Sequence, residues 1–198
     1  MTTTIALTSC ARYQAGLAQP VWRDILAADP DYLFLLGDQI YMDFGLWPFS
    51  AMPNGAPKRL SVAQFAQHMR QRYEQQWAQA DFARLLTHMR AKSGLFGVWD
   101  DHDFAWNNAY GADPDMPASA QLAAKIAISR ALFHEFMDCA PNPPDIFGAH
   151  DTPLARFIFL DNRSFATPAH GAQAALMGQL QMDFLQQQLD HAKPYTLI

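Results

Sequence analysis

The sequence has little of several features that identify other classes of protein. Its 198 residues include only two cysteines, Cys10 and Cys139, which stand far apart, so neither a disulfide framework nor a structural zinc site is expected. No apolar run approaches the roughly 20 residues that a membrane-spanning helix requires. The amino terminus lacks a basic flank and a long apolar segment, and is typical of a short strand rather than a signal peptide. We therefore expect a soluble, cytoplasmic protein.

Charge is also scarce. Only 17% of the residues are charged, the formal net charge is -5, and there is no long run of Lys or Arg. A protein that grips nucleic-acid backbone needs clustered positive charge, so that function is not expected. A phosphorylated small molecule stays possible as a substrate, because bound metal ions can supply positive charge locally. Half of the residues are hydrophobic, which predicts one folded domain over residues 1–198.

Apolar runs and helical stripes alternate along the chain. The pattern predicts strands at residues 4–8, 32–36, 95–99, 156–160 and 195–198. It predicts helices at about residues 21–26, 62–77, 81–89, 118–137 and 173–189, with a capping box of Ser61 and Gln64 and a long loop over residues 44–60. The alternation indicates an α/β fold with a largely parallel sheet. The last strand begins just where the sequence stops, so we expect a fold that is incomplete at its carboxyl terminus.

Polar, ligand-capable residues follow four of the predicted strands. They are Ser9 and Cys10, residues 37–41 (GDQIY), residues 100–103 (DDHD) and residues 161–163 (DNR). In open α/β sheets the ligand site lies beyond the carboxyl ends of the strands, so these groups are expected to converge. Crowded carboxylates repel each other unless cations neutralise them. The cluster therefore predicts a metal site more than a simple acid–base pair.

The donor types leave the metal open. Carboxylate and amide oxygens suit calcium, magnesium or manganese, whereas a Cys10 thiolate with a Tyr41 phenolate indicates ferric iron. Asp38 is placed to bridge two ions, as in two-metal hydrolases. His102 beside the metals is a candidate to orient phosphate or to protonate a leaving oxygen. The Arg163 guanidinium has a fork geometry that matches phosphate oxygens.

These motifs, in this order, resemble a known family. Ser9-Cys10, the GDQIY segment, Trp99 with the following DDHD and Asn107-Asn108, and the LDNR segment at residues 160–163 look like the successive motifs of the alkaline phosphatase D (PhoD-like) family of calcineurin-like metallophosphoesterases. The likeness spans nearly the whole chain, from Ser9 to the final helix. The GDxxY and WDDHD patterns are specific, whereas LDNR alone is weak because the usual form is LDTR.

The resemblance implies a layered α/β/β/α sandwich and metal-dependent hydrolysis of phosphate mono- or diesters, with iron and calcium as cofactors. By motif position, Cys10, Asp38 and Tyr41 would bind iron, and Asp38 would be shared with a second ion. Asp101 and Asn107 would be further metal ligands, and His102 the phosphate-facing histidine. The catalytic group predicted on this basis consists of His102, Asp101 and Arg163.

Other interpretations stay open. The family carries a later GD-x-H-type motif that nothing after Leu160 matches, so the alternative is a truncated, inactive fragment that binds metal or phosphate. Asp38 is also compatible with an ordinary turn, and Cys10 with a small buried apolar residue. Asp161 and Arg163 are compatible with a structural ion pair. The histidines other than His102 fit no ligand spacing, which predicts surface or packing roles.

Overall fold

The computed structural model describes residues 2–44, 56–112, 120–138, 145–167 and 175–198 of the chain. Within these ranges strands and helices largely alternate. The strands are β1 (Ile5–Thr8), β2 (Tyr32–Leu36), β3 (Leu95–Val98), β4 (Gly148–Asp151), β5 (Ala155–Phe159) and β6 (Tyr195–Leu197). The helices are α1 (Val21–Ala28), α2 (Val62–Trp77), α3 (Ala80–Ala91), α4 (Asp101–Phe104), α5 (Ala120–Met137) and α6 (Gln179–Asp190).

The first sheet has the order β1-β2-β3, and both pairings are parallel, as the sequence predicts. Its central strand is apolar throughout because both of its faces are covered. Leu33 and Leu35 point to the helical side and are fully buried, whereas Phe34 points to the opposite face and packs in a separate aromatic cluster. An uninterrupted apolar strand thus places this sheet in the interior.

The second sheet corrects the strand prediction. Its order is β4-β5-β6, with β4 antiparallel to β5 and β5 parallel to β6. Strand β4 was not predicted, because the segment Gly148–Asp151 has no apolar alternation. A tight turn forms the hairpin instead: the Ala155 backbone N–H donates to Thr152 Oγ1 at 2.8 Å, and the Thr152 N–H donates to the Ala155 carbonyl at 2.8 Å.

Aromatic side chains join the two sheets face to face. The Phe34 ring lies 4.8 Å from the ring of Phe157 and 5.2 Å from that of Phe159, measured between centroids. Helices α1, α2, α3 and α5 contribute to the core on the other side of the first sheet. Helix α6 contacts the second sheet, where Arg156 Nη1 donates to the Gln188 carbonyl at 3.2 Å. The predicted α/β/β/α layering is confirmed.

The helix ends follow local chemistry in most places. The capping box at α2 is present, with the Gln64 N–H donating to Ser61 Oγ and the Ser61 N–H to Gln64 Oε1. Helix α6 begins at Gln179 rather than near residue 173; residues 175–178 are not helical, and 168–174 lie outside the described residues. Of the predicted loop, residues 45–55 also lie outside, and Ala56–Arg59 forms a 3-10 turn that the sequence analysis missed. No helix in the described part of the chain is long and apolar enough to cross a membrane.

Candidate metal centre

The candidate centre lies where three neighbouring parallel strands end. Strands β1, β2 and β3 are adjacent, so the residues that follow them meet at one edge of the sheet. Cys10 and Asp38 both adopt left-handed backbone conformations, with φ of 58° and 54°. The Cys10 N–H donates to the Gly37 carbonyl at 3.2 Å, and the Ala11 N–H donates to the Asp38 carbonyl at 2.8 Å. These bonds hold Cys10 beside Asp38.

Gly37 allows the loops after β2 and β3 to touch. Its φ is +96°, and a Cβ atom placed on it would lie 2.7 Å from the Asp100 backbone nitrogen. A side chain at this position would therefore push the two loops apart. The Gly-Asp step that the sequence analysis identified is thus required by close approach, and it sets Asp38 against the Asp100–Asp103 turn.

Asp38, Asp101 and His102 converge in the way that the sequence predicts. Each offers one ligand atom, and these atoms all lie within 4.8 Å of one another. All three side chains are buried. The His102 N–H donates to Asp38 Oδ1 at 3.4 Å, and Cys10 Sγ lies 3.9 Å from Asp38 Oδ2. We call Asp38, Asp101 and His102 the triad.

The electrostatics of the triad favour a cation. Burial, followed by repulsion from Asp101, raises the pKa of Asp38 to about 6, although His102 opposes the rise. Burial alone would lower the pKa of His102, but the Asp43, Asp101 and Asp38 carboxylates outweigh it and raise that pKa. Two buried carboxylates side by side are stabilised when a metal ion neutralises them. The residues therefore fit a metal ion.

Tyr41 closes one side of the triad. Its ring centroid lies 4.4 Å from that of His102. Burial and the Asp38 charge raise the pKa of Tyr41, and its hydroxyl interacts with Cys10 and Asp38. Without a cation this phenol stays protonated, so the predicted phenolate ligand requires a strong Lewis acid beside it.

Asp43 contacts His102 and was not predicted as a site residue. Its Oδ2 lies 3.2 Å from His102 Nδ1 and accepts a hydrogen bond from the Asn107 backbone N–H at 2.7 Å. Both Asp43 and His102 are buried. Asp43 therefore fixes the orientation of the imidazole, and it also brings Asn107 to the edge of the site. Its only sequence signal is a second acid in the loop that carries Asp38.

Asp103 has a structural role, although it belongs to the DDHD cluster. Its carboxylate is fully buried and accepts from the backbone N–H groups of Asp100 and Gln39, each at 3.1 Å. Burial raises the pKa of Asp103 to about 8, and the backbone donors oppose the rise. Asp103 therefore caps the first turn of α4 and ties it to the loop after β2.

Arg163 lies next to the centre but faces a different carboxylate. Its guanidinium pairs with Asp100 at 2.5 Å, one residue before the triad's Asp101. Asp161 Oδ1 accepts from Trp99 Nε1 at 2.8 Å and from the Arg163 N–H at 3.0 Å. The ion pair considered for Asp161 and Arg163 is therefore not formed: the Arg163 guanidinium pairs with Asp100, and Asp161 meets Arg163 through its backbone N–H. Through their contacts with Trp99 and Asp100, Asp161 and Arg163 connect the end of β5 in the second sheet to the loop after β3 in the first.

The remaining histidines that the structure describes agree with the packing and surface roles predicted for them. Nε2 of buried His68, for example, is 2.8 Å from the Met42 carbonyl, and Nε2 of half-buried His88 lies 2.7 Å from Asp29 Oδ1. His170 and Cys139 lie outside the described residues.

Fold and site together define a class: a layered α/β/β/α protein with a candidate metal centre at the carboxyl edge of a parallel sheet. The sequence model of the PhoD-like phosphatases matches residues 5–195, and the chain belongs to that family. The solved structure of PhoD is similar, with a TM-score of 0.62 and 22% sequence identity. That match covers 92% of this chain and 38% of the PhoD chain. No curated protein matches the chain.

Proposed function

We propose that the chain carries the metal centre of a phosphoesterase that hydrolyses phosphate mono- or diesters. Its membership of the PhoD-like phosphatases supports a phosphoesterase function. The single observation that carries the proposal is the buried triad, whose three ligand atoms lie within 4.8 Å of one another. The chain spans 38% of the PhoD chain it matches, so the activity of the chain by itself is part of the proposal.

The proposed ligand set takes Asp38 and Asp101 from the triad, adds Cys10, Tyr41 and Asn107, and leaves His102 for the substrate. Cys10, Asp38 and Tyr41 would hold iron, with Asp38 shared with a second ion such as calcium, and Asp101 and Asn107 would complete the second site. Cys10 Sγ lies 3.9 Å from Asp38 Oδ2 and the Tyr41 hydroxyl interacts with both side chains, which supports this assignment. Bound metal would lower the pKa of a coordinated water to about 7 and neutralise charge on the phosphate.

His102 is proposed as the residue that handles the leaving oxygen. Asp43 Oδ2 lies 3.2 Å from Nδ1, so Nε2 is the ring nitrogen proposed to face the substrate. The same contact raises the pKa of His102, which favours the imidazolium form that a general acid requires. Asp101, the residue before His102, is proposed to bind the metal ion beside the imidazole.

Arg163 is proposed to bind the ester phosphate. Its guanidinium is already oriented by Asp100 and is partly open to solvent. A guanidinium can donate hydrogen bonds to a phosphate through one edge while its other edge stays paired with a carboxylate. The Arg163–Asp100 ion pair would then orient the guanidinium and would not compete with phosphate binding.

The direct test uses hydrolysis of chromogenic phosphate mono- and diesters by the purified chain, before and after chelation. We expect turnover that is lost on chelation and in Asp38→Ala, together with bound metal by elemental analysis. Asp24→Asn, an exposed carboxylate on α1, is the matched control and should keep both. Turnover that survives chelation and Asp38→Ala would contradict the proposal.

The alternative is a metal- or phosphate-binding fragment without turnover, and the 38% coverage of PhoD is the observation that favours it. Bound metal with no hydrolysis of any ester would support this alternative, whereas robust turnover would eliminate it. Under either proposal the partner is a small phosphate ester rather than nucleic-acid backbone. A cytoplasmic location stays a prediction from composition.

A further inference from the structure

Two arginines lie beside the metal centre, and the functional proposal does not use them. Arg12 and Arg72 line a crevice that they share with Tyr41 and Phe44. Arg12 also lines the neighbouring open cleft, which runs past Cys10 at the end of β1. The two arginines come from the loop after β1 and from α2, so only the tertiary structure brings them together.

Neither arginine is neutralised by the part of the chain that the structure describes. The Arg12 guanidinium lies over the Phe44 ring, 4.4 Å from its centroid. Arg72 Nε is buried and has no hydrogen-bond partner among the described residues, and neither side chain pairs there with a carboxylate. Several other arginines do have acidic partners, namely Arg70, Arg84, Arg156 and Arg163.

Two arginines without acidic partners, side by side, have a clear physical consequence. A buried guanidinium N–H without an acceptor is unfavourable, and burial accordingly lowers the pKa of Arg72. The crevice itself has a volume of only about 10 Å³, so an oxyanion would lie at its mouth, accept hydrogen bonds from the two guanidinium groups and neutralise their charge. Because Tyr41 also lines this crevice, the oxyanion would sit next to the centre that is proposed to hold the ester phosphate.

We propose that Arg12 and Arg72 form an anion subsite, so that the preferred substrate carries a second oxyanion in addition to the ester phosphate. This inference rests on the proposed function and names its substrate class: phosphate esters with an anionic tail, either phosphate or carboxylate. A simple phosphate ester with a neutral tail leaves the two guanidinium groups unpaired.

The test compares three aryl phosphate esters that share one leaving group and differ only in the tail, which is neutral, carboxylate or phosphate. The wild-type chain should have a higher kcat/KM for the anionic tails. In Arg12→Gln and in Arg72→Gln the ratio of anionic-tail to neutral-tail kcat/KM should fall about tenfold or more, the loss typical of a charge-assisted hydrogen bond. Arg23→Gln, an exposed arginine on α1, is the matched control and should keep the wild-type ratio.

One further variant and one fallback protect the test against a loss of folding. Arg12→Lys keeps the charge and should retain a preference for the anionic tails that Arg12→Gln loses. Where Arg72→Gln does not fold, Arg12→Gln carries the test, because Arg12 lies in a loop and outside the helices. A ratio that stays at the wild-type value in Arg12→Gln would overturn the subsite, while hydrolysis itself would leave the proposed function standing.

A binding measurement separates the two proposals if no ester is hydrolysed. Inorganic phosphate is titrated into the metal-free protein in EDTA, and the Tm is recorded. A rise in Tm that Arg12→Gln and Arg72→Gln abolish and Arg23→Gln keeps would support the subsite although the proposed function fails. An equal rise in all four proteins, or no rise in any of them, would overturn the subsite.

Discussion

Replacing Asp38 by asparagine is expected to stabilise the metal-free protein. Asparagine keeps the shape and an acceptor oxygen, and it tolerates the left-handed conformation at φ 54° better than most residues. What it removes is a buried negative charge beside Asp101. The pKa of Asp38 is raised from 3.8 to about 6 in the folded chain, so the folded state disfavours the ionised carboxylate.

The size of the effect follows from this shift. Each pKa unit corresponds to about 1.4 kcal/mol, so a shift of about two units sets a ceiling of about 3 kcal/mol. Solvent at the mouth of the site screens part of it, and we expect about 1–2 kcal/mol at pH 8. For a chain of this size that corresponds to a rise in Tm of about 4 °C.

The dependence on pH has a definite sign. Because folding raises the pKa of Asp38, its unfavourable contribution is absent below pH 3.8, grows as pH rises to about 6, and is constant above that. Urea unfolding in EDTA should therefore show Asp38→Asn to be more stable than wild type at pH 8, with a smaller difference near pH 5. Asp24→Asn should show no such difference. A metal-free Asp38→Asn protein that is less stable than wild type at pH 8 would refute the reasoning.

Three further changes test other parts of the structure. Gly37→Ala should lower the free energy of unfolding by about 2 kcal/mol, because it combines a positive φ with contact against Asp100; a loss below about 0.5 kcal/mol in urea would contradict this. Phe34→Ala should cost about 3–5 kcal/mol by the same assay, and a cost below 1 kcal/mol would mean that the sheets do not pack through this ring. Asp43→Asn should lower the pKa of His102 and move the alkaline limb of kcat/KM to lower pH; an unmoved limb would exclude His102 as the acid.

Much of the site could be predicted because its residues follow strands that are recognisable by themselves. Asp38 comes directly after an uninterrupted apolar strand, and Asp101 and His102 come after another. Parallel neighbouring strands end at the same edge, so their following residues must approach each other. Tyr41 stands three residues after Asp38, so a further predicted ligand lies in the loop after β2.

Other contacts could not be predicted from sequence. Strand β4 has no apolar alternation, and it exists because a side-chain turn at Thr152 pairs it with β5. Asp43, Asp103 and Asp38 are all buried acids that follow apolar strands, yet one orients His102, one caps α4 and one belongs to the triad. Residue type does not distinguish these roles, because burial and the partner of each carboxylate decide them.

The sequence by itself determined five of the six described strands and the polar residues that follow them, because hydrophobic periodicity and turn chemistry are local properties. Only the tertiary structure decided which partner each charged group meets. The Arg163 guanidinium pairs with Asp100. Arg12, in the loop after β1, lies beside Arg72, which belongs to the distant helix α2. Such pairings depend on how the two sheets and α2 pack in three dimensions, and no local pattern in the chain encodes that packing.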